Sequence, residues 1–157
     1  MVPNSKTARD IMTKRVITVT ADQDLFEVIG LLVKNKISGA PVVDKNGKYI
    51  GVFSEKSSIS LLMDAVERGT PTNRIEGFID SDAKTVTPDC GLLTIAHLFM
   101  SSHYRRVPVL DNGKVIGLIS RRDVLKAAHA FMEPIEPGDS GILYFSSTRD
   151  RSEATIV

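Results

Sequence analysis

Gly117-Leu118-Ile119-Ser120-Arg121-Arg122-Asp123 rewrites Gly51-Val52-Phe53-Ser54-Glu55-Lys56-Ser57, sixty-six positions earlier. Upstream of a one-residue deletion in a turn the offset is sixty-seven. There Val19-Thr20-Ala21-Asp22 returns as Val86-Thr87-Pro88-Asp89, and Ala40-Pro41-Val42 returns as Val107-Pro108-Val109. A chain that repeats itself this way builds two like units, each of which must bury its apolar face against the other. Two such units meeting across a pseudo-twofold axis leave clefts between them, and clefts between units are where small molecules bind.

The chain has 157 residues, enough for one compact body made of two half-size units, each of which alone would be marginal. A hydrophobic share of 42% and a charged share of 25% are those of an ordinary globular protein. The formal net charge of +1 and the lack of a basic run argue against nucleic acid or an acidic membrane as partner. No apolar stretch approaches the roughly 20 residues of a membrane span. The opening Met1-Val2-Pro3-Asn4-Ser5-Lys6 has no apolar signal core, and the single Cys90 fits a reducing compartment. The expected location is cytoplasmic.

Each copy reads as strand, helix, strand, strand, helix. Arg15 to Thr20 is a β-branched run, and Leu25, Val28, Ile29 and Leu32 fall at helical spacing behind acidic Asp22 and Asp24. Leu92, Ile95, Ala96 and Phe99 take the same places in the second copy. Residues 40–43 and 49–53 flank Asp44-Lys45-Asn46-Gly47, as 107–110 and 115–119 flank Asp111-Asn112-Gly113; Asn-Gly between apolar runs marks a hairpin. Closing helices are expected from Ser54 and Ser120. The divisions are then 7–68 for repeat 1, 69–77 for a linker rich in turn formers, 78–132 for repeat 2, and 133–157 for a tail matching neither copy. Within the tail, Ile142-Leu143-Tyr144-Phe145 has the composition of a strand.

The sharpest local chemistry is Ser120-Arg121-Arg122-Asp123. Ser-x-x-acid is a capping box, and this reading needs no ligand. It leaves Arg121 and Arg122 unexplained, since cations at a helix N-terminus oppose the dipole by about 0.3–1 kcal/mol each. An anion there would meet free backbone N–H groups and guanidinium forks. Arg105 and Arg106, just before the Val-Pro-Val strand, offer a second basic pair for the same cleft.

Ser38-Gly-Ala-Pro-Val-Val-Asp44, Arg105-Arg-Val-Pro-Val-Leu-Asp111, Gly117 to Leu125 and the leading Thr7-Ala-Arg-Asp-Ile-Met12 resemble the cystathionine β-synthase (CBS) domain signature, in two copies across about residues 7–130. The resemblance implies an α/β fold (α+β in some schemes): two tandem β-α-β-β-α CBS repeats packed with pseudo-twofold symmetry, sheet against sheet. It also implies a regulatory module, not an enzyme, that binds an adenosine-containing ligand (AMP, ADP or ATP, or S-adenosylmethionine or NAD) and forms a disc-like homodimer serving an unidentified effector protein. Carried across by position, Asp123 would hold ribose and Ser120 phosphate or ribose. Arg105, Arg106 and Arg122 would neutralise phosphate, Ile37, Ser38 and Leu118 would line the adenine slot, and Thr7 would lie near base or sugar. Repeat 1 departs from the pattern: Ser57 stands where repeat 2 has Asp123, Glu55 would repel phosphate, and Ser38-Gly39 replace Arg105-Arg106. A weaker or empty second site is therefore expected at Ser54, Ser57 and Tyr104.

Other signals carry less. His97, His103 and His129 lack metal-ligand spacing, so neither a metal nor a catalytic group is assigned. Cys90 reads as a packed, inert thiol. Gly138-Asp139-Ser140-Gly141 matches a protease nucleophile segment by coincidence, and Met12, Met63, Met100 and Met132 read as core filler. The rival to a nucleotide sensor is a dimerising scaffold that binds protein and no small molecule.

Overall fold

A computed structural model describes residues 6–69 and 73–132. In repeat 1, β1 (Val19–Thr20) lies parallel to β2 (Gly39–Val43), which pairs antiparallel with β3 (Tyr49–Ser54). In repeat 2, β4 (Arg106–Asp111) pairs antiparallel with β5 (Lys114–Ser120). A parallel bridge between Val86 and Val109 takes the place of β1, matching Val19 against Val42. Both hairpins shift register at the same point, between Val42 and Val43 and between Val109 and Leu110. The duplication thus reaches the level of single backbone pairings.

The helices follow from apolar spacing and caps. Asp24 accepts the amides of Phe26 and Glu27 and starts α2 (Leu25–Asn35), which buries Leu25, Val28 and Leu32. Its counterpart α4 (Leu92–Met100) buries Leu92, Ile95 and Phe99. Ser54 and Ser120 are the N-caps of α3 (Glu55–Arg68) and α5 (Arg121–His129), as the sequence predicts.

The segment leading into each repeat is buried in the other one. A short helix α1 (Ala8–Ile11) opens repeat 1, yet Ala8 is fully buried among Ile95, Val107, Val109 and Ile119 of repeat 2. Ala8 N donates to the Cys90 carbonyl at 2.8 Å, and Thr13 exchanges backbone bonds with Leu118 at 2.8 and 3.0 Å. Reciprocally, Ile75 precedes repeat 2 but is fully buried with Val28, Val42, Phe53 and Leu61 of repeat 1. Asp80 then exchanges bonds with Val52 at 3.0 and 2.9 Å. Gly51 and Gly117, equivalent in the two copies, are where these straps pass. A Cβ on Gly51 would come within 2.6 Å of the Asp80 carbonyl oxygen, and one on Gly117 would strike the Met12 side chain.

Three expectations change. The strand expected over Arg15–Thr20 contracts to Val19–Thr20, because Thr13 belongs to the other sheet and the chain crosses between the two in the residues that follow. Within the stretch read as a linker, Ile75 is a core residue. Met63 and Met100 are solvent-facing, 53% and 84% exposed, so they fill no core. The tail strand at Ile142–Phe145 lies outside the described residues.

Candidate functional site

Two clefts open between the repeats, and their sizes differ. The larger, about 860 Å³, is walled by the first turn of α3 on one side and by residues 103–106 on the other. The smaller, about 160 Å³, lies at the start of α5, between Asp123 and the crossing segment Thr13–Ile17. Ligand sites typically fall at roughly 300–1,000 Å³, so only the larger has room for a whole nucleotide. Gly39, Arg106 and Leu118 line both, forming the partition between them.

The residues expected at one site divide between the two clefts. Ile37, Arg106, Leu118, Ser120 and Asp123 line the smaller one. Ser38 and Arg105 line the larger, beside Ser54, Ser57 and Tyr104 of the expected weaker site. Thr7 and Arg122 line neither. Thr7 is instead committed to α1: its amide and hydroxyl both donate to Asp10 Oδ2, at 2.8 and 2.9 Å. Those bonds hold the Asp10 carboxyl below its usual range. The convergence expected of Arg121 and Arg122 on one anion does not occur, because the Arg121 guanidinium donates to the Ser102 carbonyl at 3.3 Å.

At the head of α5 the capping box is fully formed. Ser120 N and Oγ both donate to Asp123 Oδ2, at 2.8 and 2.7 Å, and Asp123 N donates to Ser120 Oγ at 3.2 Å. Asp123 Oδ1 accepts no bond among the described residues, and Asp123 lines the smaller cleft. At the head of α3 the acid is missing: Ser54 Oγ accepts from Ser57 N at 3.2 Å and lies 3.2 Å from Ser57 Oγ. The carboxylate of that turn is Glu55, which lines the larger cleft, and its amides at Glu55 and Ser57 are taken by the Ser38 carbonyl at 3.0 Å and by Ser54 Oγ.

Cations dominate that face. Arg105, Arg106 and Lys56 line the larger cleft. Among the described residues the ion pairs are Arg9–Asp111 and Arg68–Asp64, so these three cations have no carboxylate partner. Two residues not singled out from sequence complete the wall. His103 stacks on Tyr104 with ring centroids 4.9 Å apart, and Asp80 accepts from the Tyr104 hydroxyl at 3.4 Å. Burial, then the charge of Asp80, raises the Tyr104 phenol above its ordinary value. Asp80 had a sequence signal: it is the sixty-seven-residue counterpart of Thr13, which borders the smaller cleft.

No group of three or more metal-ligating side chains occurs among the described residues, and none of their helices is long and apolar enough to cross a membrane. Burial, followed by the neighbouring Asp89 charge, pushes the Cys90 thiol up, away from the reactive thiolate.

Doubled hairpins, serine-capped helices and paired clefts are the arrangement that the repeat signature implied, and the CBS domain family model matches residues 8–57 and 75–130. The chain is a CBS domain protein. It is 33% identical over 150 residues to the uncharacterized protein MJ1426 of Methanocaldococcus jannaschii, covering 76% of this chain and 89% of that one. It is 30% identical over 154 residues to the chloroplastic CBS domain-containing protein CBSX1 of Arabidopsis thaliana, covering 78% and 64%. The crystal structure of CBSX2 in complex with AMP matches with a TM-score of 0.71 at 28% identity, covering 79% of this chain and 96% of that one. Several other curated relatives are much longer, and this chain spans less than half their length. The α/β CBS-pair architecture expected from the repeats is therefore that of the family.

Proposed function

We propose that this chain is a regulatory module that binds an adenosine-containing nucleotide in the larger cleft between its CBS repeats, without turning it over. The observation that carries this reading is the pair of guanidinium groups without a carboxylate partner, Arg105 and Arg106, set across a cleft of about 860 Å³ from the first turn of α3. Charged donors and helix amides together make a phosphate site. The AMP complex of CBSX2 supports the adenosine class by similarity. Tyr104, Ser38, Ser54 and Ser57 supply the remaining polar contacts in this reading.

A second placement has its own support: the unused Asp123 Oδ1, with Ser120, Ile37 and Leu118, would receive a ribose in the smaller cleft. That placement requires the partition at Arg106 to move. Binding should appear as a rise in melting temperature. At a hundredfold excess over Kd the stabilisation is about 2.7 kcal/mol, or about 5–10 °C for a chain of this size. Arg105→Ala should remove most of the AMP-induced rise, and an undiminished rise in that variant would reject the larger cleft.

Homodimerisation belongs to the same proposal. Ile59, Leu62, Met63 and Val66 form an i, i+3, i+4, i+7 stripe on α3, each at least 50% exposed. Such a stripe favours burial against a second copy or an effector. A dimer indifferent to every adenosine compound would mark the scaffold reading instead. A cytoplasmic location belongs to the same proposal, and the single cysteine fits it.

A further inference from the structure

We infer that Asp80 is a specificity-determining residue of the larger cleft, restricting it to an adenosine ligand that carries a single phosphate. This rests on the placement of the nucleotide in that cleft. The lining holds three cations, Lys56, Arg105 and Arg106, against two carboxylates, Glu55 and Asp80. The surplus of one positive charge offsets part of the roughly −2 charge of a single phosphomonoester and leaves nothing for further phosphates. Each further phosphate adds negative charge with no free cation to meet it and two carboxylates nearby to repel it, and wrong-sign neighbours are how charged sites reject competitors.

Asp80 is the carboxylate placed to do this because it is fixed. Its backbone is pinned to Val52 by two hydrogen bonds, of 3.0 and 2.9 Å. Its Oδ1 accepts from Asp82 N at 3.1 Å and its Oδ2 from the Tyr104 hydroxyl at 3.4 Å. Tyr104 directly precedes Arg105, so this acid is tethered beside the basic pair, whereas Glu55 sits on the first turn of α3 with a longer and freer side chain. The same acid reaches Tyr49, whose phenol is pushed up to about 12 by burial first and by the Asp80 charge second. The residue at the equivalent place by the smaller cleft is the neutral Thr13, so the acid belongs to the larger cleft alone.

The test is titration calorimetry of AMP and ATP, without divalent cation, on the full chain and on Asp80→Asn. Asparagine keeps the Oδ1 acceptor for Asp82 N and removes the charge. Asp82→Asn is the control, since Asp82 is exposed and lines neither cleft. The unmodified chain should bind AMP about tenfold or more tightly than ATP, and Asp80→Asn should narrow that ratio at least about threefold by gaining ATP affinity, whereas Asp82→Asn leaves it unchanged. Equal affinity for the two nucleotides in the unmodified chain, or an unaltered ratio in Asp80→Asn, would overturn the inference while leaving nucleotide binding intact. Loss of AMP binding in Asp123→Ala with an unaltered ratio in Asp80→Asn would move the ligand to the smaller cleft. Absence of all adenosine binding would overturn the proposed function and this inference together.

Discussion

Replacing Ile75 by alanine tests whether the two repeats are locked together by their straps. Ile75 has no exposed surface and contacts the core of repeat 1, although it arrives from the far side of α3. The substitution removes three carbon groups, a transfer loss of about 2.4 kcal/mol at about 0.8 each. If the surroundings do not collapse, a void of some 60–75 Å³ adds about 1.5 kcal/mol. The expected loss is therefore about 2.5–4 kcal/mol, or roughly 5–15 °C in melting temperature. Urea and thermal unfolding of the full chain, followed by circular dichroism, would read it. Leu93→Ala serves as the control: Leu93 is 68% exposed and should shift stability by no more than about 0.5 kcal/mol. A loss below about 1 kcal/mol for Ile75→Ala, or two separate transitions in the unmodified chain, would refute the interlocked core.

Asp123→Ala breaks the capping box of α5 and should lower stability by about 1 kcal/mol while leaving the AMP-induced thermal shift in place; loss of that shift would favour the smaller cleft. Tyr49→Phe removes a buried hydroxyl that has no hydrogen-bond partner and should change stability at neutral pH by no more than about 1 kcal/mol, in the stabilising direction. Because the folded state holds that proton up to about 12 and the unfolded chain releases it near 10.0, stability should fall as pH rises through this window, and the phenylalanine variant should lose that part of the slope in alkaline unfolding curves. Asp10 titrates below the ordinary aspartate value, so its contribution is present above that value and fades as pH falls through the lower folded one. The stability gap between the unmodified chain and Asp10→Asn should accordingly close in acid, and a gap that persists at pH 2 would disprove the assignment.

The elements were readable because each rests on short-range physics. Apolar residues at Leu25, Val28 and Leu32 and at Leu92, Ile95 and Phe99 face the cores, and Ser54 and Ser120 cap the helices they precede. The straps were not readable. Local pattern cannot say that Ala8 packs against Ile119 or Ile75 against Phe53, since both contacts join distant parts of the chain. The site divides the same way. Ser54, Ser57, Tyr104, Arg105 and Arg106 stand out by residue type, and all five border one cleft. Arg105 and Ser38 line a different cleft from Asp123, and residue type alone does not foretell this, because the partition at Gly39, Arg106 and Leu118 is a product of packing. Asp80 has its signal only at a distance, in its sixty-seven-residue correspondence with Thr13, and nothing in its own neighbourhood marks it out.

The crossed straps also bear on what a lone half could do. A fragment ending at Arg68 would keep Ala8 with no pocket to enter and would leave the seat of Ile75 empty. Its two defects are complementary, one a plug and the other a socket. Two such fragments could mend each other only by trading their leading ends, so a severed half is driven to seek company, and the intact chain is that partnership made permanent by a covalent tie.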